Sequence, residues 1–293
     1  GRDQSILHSW EMELGGTIQL IKEQVARSKP RRVVFDSLSE MRLLAQDPLR
    51  YRRQLLALKQ YFAGLETTVL LVDDLTGAQG ARDNHLHSLC HGVITLERLT
   101  LDFGAARRRL QVQKLRGVAF VAGYHDLVIR PGGLEIFPRL IAADHHLAFS
   151  DDKVASDVVA LDAMLDGGPA RGTSTLITGP AGTGKTTLGL QYLAAACRRG
   201  EKCVIYEFDE RIGTMIARAR AFGIDLETSM ADGSLILRQI DAAEIAPGEF
   251  AAMVRREVEE EGAAFVMIDS LNGYVAAMPQ EQHLILQLHE LPS

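Results

Sequence analysis

Cysteine is scarce in this 293-residue chain: Cys90, Cys197 and Cys203 form no paired C-x-x-C pattern. Their rarity argues against a disulfide scaffold and fits a reducing cytoplasm. Long hydrophobic runs are also missing. No stretch approaches the roughly 18–20 apolar residues a membrane helix needs, and no signal-peptide pattern opens the chain. The first residue is Gly1 rather than Met, so the natural N-terminus is expected to have been cut away or replaced. A basic surplus is absent as well. The net charge is −6, and it is uneven: residues 1–145 carry 20 Lys+Arg against 16 Asp+Glu, residues 146–293 carry 12 against 22. Neither half is basic enough to imply nucleic acid on its own.

What is present is an alternation of strand and helix patterns. In the first half, "TIQLIKEQVARSKP" repeats apolar residues at helical spacing and stops before Pro30, and "RRVVFD" reads as a buried strand. "DPLRYRRQLLALKQYFAG" reads as a helix with Asp47 as cap, Pro48 in the first turn and Gly64 past its end. "TTVLLVDD" is the next strand. "GVITLERLTL" and "RRLQVQKL" flank "DFGAA" as a hairpin, and "GGLEIFPRL" is a last strand before the polar linker "IAADHHLAFSDDKVASD". After the linker come the strand "TSTLITG", a helix from Lys185 to Arg199 ended by Gly200, and the strand "KCVIYEF". The helix "RIGTMIARARAFG", the strand "SLILRQI", the helix "PGEFAAMVRREVEEEG", the strand "AFVMIDS" and the helix "PQEQHLILQLHEL" complete the chain. Strands separated by crossover helices imply an α/β fold: a parallel sheet with helices on both faces.

"GPAGTGKT" fits G-x-x-x-x-G-K-[ST], with Gly179, Gly184, Lys185 and Thr186 in place. A phosphate chain needs donors on every side and no side chain in the way. Glycines let such a loop wrap, so that backbone N–H groups and the following helix's N-terminus face the anion. The pattern predicts ATP held by Gly179, Ala181, Gly182, Thr183, Gly184, Lys185, Thr186 and Thr187. The Lys185 charge lies between the β- and γ-phosphates and the Thr186 hydroxyl is on Mg²⁺. Asp269, ending "AFVMID", is the expected metal-side carboxylate. "YEFDER" places Glu207, Asp209 and Glu210 near the phosphate edge of the sheet, with Glu210 the first and Asp209 the second choice for orienting the attacking water.

The element ending in Asp269 has an earlier copy. "VVFDSLSE" recurs as "VMIDSLNG", with Asp36 and Asp269 lying 233 residues apart. By that spacing the first copy's own P-loop lysine falls before the chain begins.

Tandem Asp-Ser-Leu strands, "GPAGTGKTTL", the acid pair in "FDER" and "QKLRG" together resemble the KaiC-like branch of the RecA superfamily, relatives of the cyanobacterial circadian clock ATPase. The resemblance covers nearly the whole chain. It implies tandem RecA-like P-loop NTPase domains, each partly represented: residues 1–145 as the C-terminal part of the first, 146–293 as the N-terminal part of the second. It further implies a homohexameric ring with ATP at the subunit interfaces. In such a ring Lys114 and Arg116 of "QKLRG" reach a neighbour's γ-phosphate, with His125 nearby, although "YHD" follows "KLRG" at a longer spacing than in the clock protein. Phe222, before "GIDL", matches an aromatic that stacks on adenine, and Asp209 and Glu210 match acids that activate water. Signalling through a protein partner and Ser/Thr autokinase activity are implied by family association alone. "LTGAQGARDNHLHSL" offers only Thr76 and Ser88, with no paired hydroxyls.

Other signals are weaker. His87 and His91 in "HLHSLCH" supply two metal ligands on one helix face with no distant partner. "DFG" lacks the other kinase motifs. Arg107–Arg109 alternate on a hairpin without interleaved aromatics, which reads as a solvated face. Two rival functions remain. A DNA-stimulated RecA- or RadA-like ATPase is disfavoured by the acidic second half and the lack of a four-cysteine zinc module. A non-catalytic scaffold would use ATP only to assemble.

Overall fold

The computed structural model describes residues 4–45, 47–74, 84–101, 104–141 and 151–276. The expected terminal helix "PQEQHLILQLHEL", Thr76, the Asp102–Phe103 part of the hairpin turn and most of the linker lie outside the described residues. Contacts group the chain into two units, residues 1–93 with 114–118 and residues 94–113 with 119–293. No described helix is long and apolar enough to cross a membrane.

The first unit holds α1 (Gln4–Ser28), β1 (Arg32–Asp36), α2 (Leu38–Ala45), α3 (Pro48–Ala63), β2 (Thr68–Val72) and α4 (Asn84–Leu89). α3 starts as its sequence dictates. The Asp47 carboxylate accepts the N–H groups of Leu49 and Arg50, Pro48 occupies the first turn and Gly64 is the C-cap. β1 and β2 pair in parallel, with Asp36 opposite Val72. Ile18, Val25, Met41, Leu55, Leu58 and Phe62 form the helical core, and Val33, Phe35 and Val69 pack on it. β1 was expected to be a buried strand. It alternates instead: Val33 and Phe35 face the helices while Val34 stays 60% exposed. The period-2 geometry of a strand covered on one face produces that pattern.

Most of an antiparallel meander belongs to the second unit: β3 (Gly92–Leu99), β4 (Arg107–Leu115), β5 (Tyr124–Arg130) and β6 (Gly133–Phe137), in that spatial order. β5, which the sequence pattern did not reveal, turns into β6 through Gly132 and Gly133 at φ +105° and +135°, a region L side chains avoid. Beyond the meander come α5 (Val159–Met164), α6 (Lys185–Arg198), β7 (Lys202–Glu207), α7 (Ile212–Ala221) and α8 (Leu226–Ala231). β8 (Leu235–Gln239), α9 (Pro247–Glu259), β9 (Ala263–Asp269) and α10 (Leu271–Ala276) follow. β8, β7 and β9 form a parallel sheet in that order. Leu190, Leu193, Met215 and Leu226, from α6, α7 and α8, cover one face. Phe250 and Val254 of α9 cover the other, with the Phe250 ring edge-on to Tyr206 at 5.1 Å.

The meander is fastened to α9. Asp126 of β5 accepts the Gly248 N–H at 2.7 Å, capping the helix, and Arg130 pairs with Glu249. Contacts divide the chain within the meander. One further expectation is corrected. "TSTLITG" was read as a strand, but residues 173–179 join no ladder, and Leu176 is 72% exposed. Among the described residues β9 pairs only with β7, so its other edge is left without a strand and this segment is not laddered to it.

The approach to that segment is anchored electrostatically. Both outer nitrogens of Arg171 donate to the Glu201 carboxylate at 3.1 and 3.0 Å, and Arg199 Nε adds a bond at 2.8 Å. Arg171 first, then Arg199, hold Glu201 below the usual carboxylate range. Its stabilisation is complete above the ordinary glutamate pKa and is lost as pH falls through the lowered folded value. Glu201→Gln is therefore expected to cost about 1 kcal/mol at pH 7, the upper end for a partly exposed pair with bidentate geometry. In urea melts the gap from the parent protein should close below about pH 4.

Candidate functional site

The order of contacts along α6 fixes its direction. Near its C-terminal end, Leu193 O accepts the Cys203 Sγ contact (3.9 Å) at the start of β7. Near its N-terminal end, Gly189 sits against Met267, two residues before the end of β9, so closely that an added Cβ would lie 2.7 Å from the Met267 Cε. α6 thus runs antiparallel to β7 and β9. Its first residue, Lys185, stands at the carboxyl end of the sheet, the end that Asp269 closes.

Ahead of Lys185 the loop takes conformations that glycine allows. Gly182 and Gly184 have φ +78° and +90°, and a Cβ on Gly179 would meet the Thr183 Oγ1 at 2.8 Å. Thr183 Oγ1 and Lys185 Nζ both donate to Pro180 O at 2.8 Å, which folds the loop back on itself. Ala181 through Gly184 are exposed, and Lys185, Thr186 and Thr187 half-buried. The first i→i−4 bond of α6 runs from Leu188 N to Gly184 O. The N–H groups of Lys185, Thr186 and Thr187 therefore have no intrahelical acceptor. An exposed loop, free first-turn N–H groups, a helix dipole and a lysine together suit an anion.

Across the edge, four carboxylates gather on β7, β9 and the turn after β7. Glu207 and Asp269 are register partners at the ends of their strands, and Phe208 N donates to Asp269 O at 2.7 Å. The Glu207 side chain is 1% exposed. Its Oε1 accepts the N–H groups of Asp209 (3.1 Å) and Glu210 (2.7 Å), while Oε2 is buried and has no hydrogen-bond partner among the described residues. Burial pushes the Glu207 carboxyl above the ordinary range, the two accepted N–H groups oppose that, and the Asp269 charge adds to it.

The expected water-activating pair is held from several sides. Asp209 is exposed and its Oδ2 accepts the Ser270 hydroxyl; Ser270 Oγ in turn accepts Gly273 N at 3.2 Å. A Cβ on Gly273 would overlap Asp209 Oδ1, so any larger residue there would push the exposed carboxylate aside. Glu210 is half-buried and pairs with Arg218 of α7 at 2.7 Å. Sequence reading placed Glu207 at this edge without a role and missed Ser270, Gly273 and Arg218. A glutamate inside the otherwise apolar "VIYEF" was the available signal; the partners on α7 and α10 depend on tertiary packing.

The remaining expected residues fall as follows. Phe222, the C-cap of α7, is 60% exposed. In the first unit, Asp36 is exposed at the end of β1 and, like Asp269, precedes a cis Asp–Ser bond and a helix. Lys114 Nζ donates to His87 O at 2.6 Å and Arg116 reaches Ser88 O at 3.4 Å, so both cations cap the end of α4. His125 is buried: its Nε2 lies 3.0 Å from Val121 O, and its Nδ1 accepts the Arg139 N–H at 3.0 Å. That makes it a packing histidine on β5. No group of three or more His, Cys, Asp or Glu poised for a metal exists among the described residues.

The family model described as "ATPase: KaiC" matches residues 2–141 and 154–292. Among similar proteins, the circadian clock oscillator protein KaiC of Parathermosynechococcus lividus is 30% identical over 230 residues, covering 78% of this chain and 42% of that protein. Proteins of the same name from Acaryochloris marina (25%) and Synechococcus elongatus (27%) align over 89% of this chain and 50% of their own length. The chain thus spans about half the length of these relatives.

The Asp209–Gly273 approach yields a direct test. Gly273→Ala should displace the exposed Asp209 carboxylate from Ser270 and destabilise by up to about 1 kcal/mol, the worth of one hydrogen bond. Adding Asp209→Ala should return most of that loss in a double-mutant cycle followed by chemical denaturation.

Proposed function

The chain belongs to the KaiC family of ATPases, and from that premise we propose that it binds ATP with Mg²⁺ at Gly179–Thr187 and hydrolyses it, with residues 146–293 as the P-loop-bearing part of a tandem RecA-like arrangement divided near 145/146. The observation that carries this reading is the direction of α6, which brings the glycine loop and Asp269 to one end of one sheet. Backbone N–H groups of the loop and first helical turn take the phosphates, and Lys185 exchanges Pro180 O for phosphate oxygens. The donor set fits a hard cation, since Thr186 and Asp269 both offer oxygen. Thr186 and Asp269 would hold Mg²⁺, which would supply charge neutralisation to the phosphate oxygens.

Hydrolysis needs a carboxylate to orient water. Asp209 is the more exposed of the pair and is tied to a neutral hydroxyl, whereas Glu210 is already neutralised by Arg218. That favours Asp209 as the acceptor nearer to water, with Glu210 beside it. The exposed ring of Phe222 suits stacking on adenine. Lys114 and Arg116 serve a neighbour's site in a homohexameric ring, where a cation stabilises transition-state charge. A cytoplasmic setting, a signalling protein partner and a regulatory role, with autokinase activity as an accompaniment, complete the reading on family grounds.

Lys185→Ala should weaken binding of a fluorescent ATP analogue by about 100-fold or more, since it removes a charge-assisted contact at the phosphates; unchanged affinity would sink the assignment. Phosphate release by the natural full-length protein, assayed with and without single-stranded DNA and beside its mass in ATP, separates the rivals. We expect release that DNA does not stimulate, from a species near six subunits. Strong stimulation would favour a recombinase-like enzyme, and a ring without release would favour a scaffold.

A further inference from the structure

Glu207 sits where a carboxylate is costly. It is 1% exposed, it faces Asp269 across the β7–β9 ladder, and Glu210 follows three residues later. Its only hydrogen bonds among the described residues are to the N–H groups of Asp209 and Glu210, both accepted by Oε1, while Oε2 has none. As a turn cap this is a poor choice, because Ser, Thr or Asn would accept the same N–H groups without burying a charge beside other acids. A local rule broken without local compensation marks a functional demand. The demand is visible in what the two bonds fix. They clamp the backbone of two consecutive residues whose side chains then diverge, Asp209 toward Ser270 and Gly273 on α10, Glu210 toward Arg218 on α7.

We infer that Glu207 is the positioning residue of the acid pair, its Oε1 setting where the Asp209 and Glu210 carboxylates stand relative to the carboxyl edge of the sheet. The inference rests on the ATPase reading of the same site. It assigns Glu207 no contact with substrate. The glutamate acts through the backbone of its neighbours, and a misplacement of a catalytic group by about 1 Å is enough to cost on the order of 100-fold in rate.

The test uses three variants of the natural full-length protein. Glu207→Gln keeps an acceptor oxygen at the same place. Glu207→Ala removes it, and Glu207→Met removes it while filling the buried space, so that it stands in if the alanine variant does not fold. Glu207→Gln should keep kcat for phosphate release within about threefold of the parent. Glu207→Ala and Glu207→Met should lose at least about tenfold, with ATP-analogue affinity held within about threefold, because the loop at Gly179–Thr187 is untouched. Amide exchange gives a readout independent of turnover: the Asp209 and Glu210 N–H groups should exchange faster in the methionine variant and not in the glutamine variant. A folded Glu207→Met with parental kcat overturns the inference, as does a Glu207→Gln as impaired as Glu207→Met. Failure of the underlying ATPase reading has a different signature: the parent itself would release no phosphate, and Lys185→Ala would bind nucleotide as the parent does.

Discussion

Gly189 packs against the tip of Met267 with no room for a side chain of its own. That close approach between α6 and β9 shows which way the helix runs over the sheet, and with it the end of the sheet at which the first-turn N–H groups open. It also brings the helix close enough to the strands that one short loop, Gly179–Gly184, can cover the edge. The positive end of the helix dipole then lies at the same end of the sheet as four carboxylates.

Those carboxylates would repel one another strongly if nothing separated their environments. Three of them have different counterparts: Glu210 a guanidinium, Asp209 a hydroxyl and Glu207 two backbone N–H groups, while Asp269 stands beside Glu207 at the strand ends. The differences in partner separate the acids chemically although they sit close together at one edge. Burial raises the Glu207 carboxyl, and exposure leaves Asp209 open to water. A division of labour among like groups follows from environment rather than from residue type.

Much of this was legible in the sequence because local rules dominate there. The Asp47 cap, the Gly200 stop after α6, the parallel strands β7, β8 and β9 and the glycine loop all follow from composition and period. What escaped had non-local causes. β5 carries "YHDLVIR", whose polar residues hide its alternation, and its place is set by Asp126 capping α9. "TSTLITG" has the composition of a strand, yet a strand exists only where its backbone is paired, and residues 173–179 join no ladder. At the site, the acids were readable from "YEFDER", but their fixation by Ser270, Gly273 and Arg218 joins residues far apart in the chain.

Lys114 and Arg116 carry a tension of their own. Each already serves the carbonyl end of α4. An anion arriving from elsewhere must outcompete those carbonyls, leaving them to water, so its hold on either cation is discounted by roughly 1 kcal/mol per exchanged hydrogen bond. An anion that recruited either cation would have to bring concentrated negative charge, as a polyphosphate does, because a lone carboxylate would not displace the α4 carbonyls.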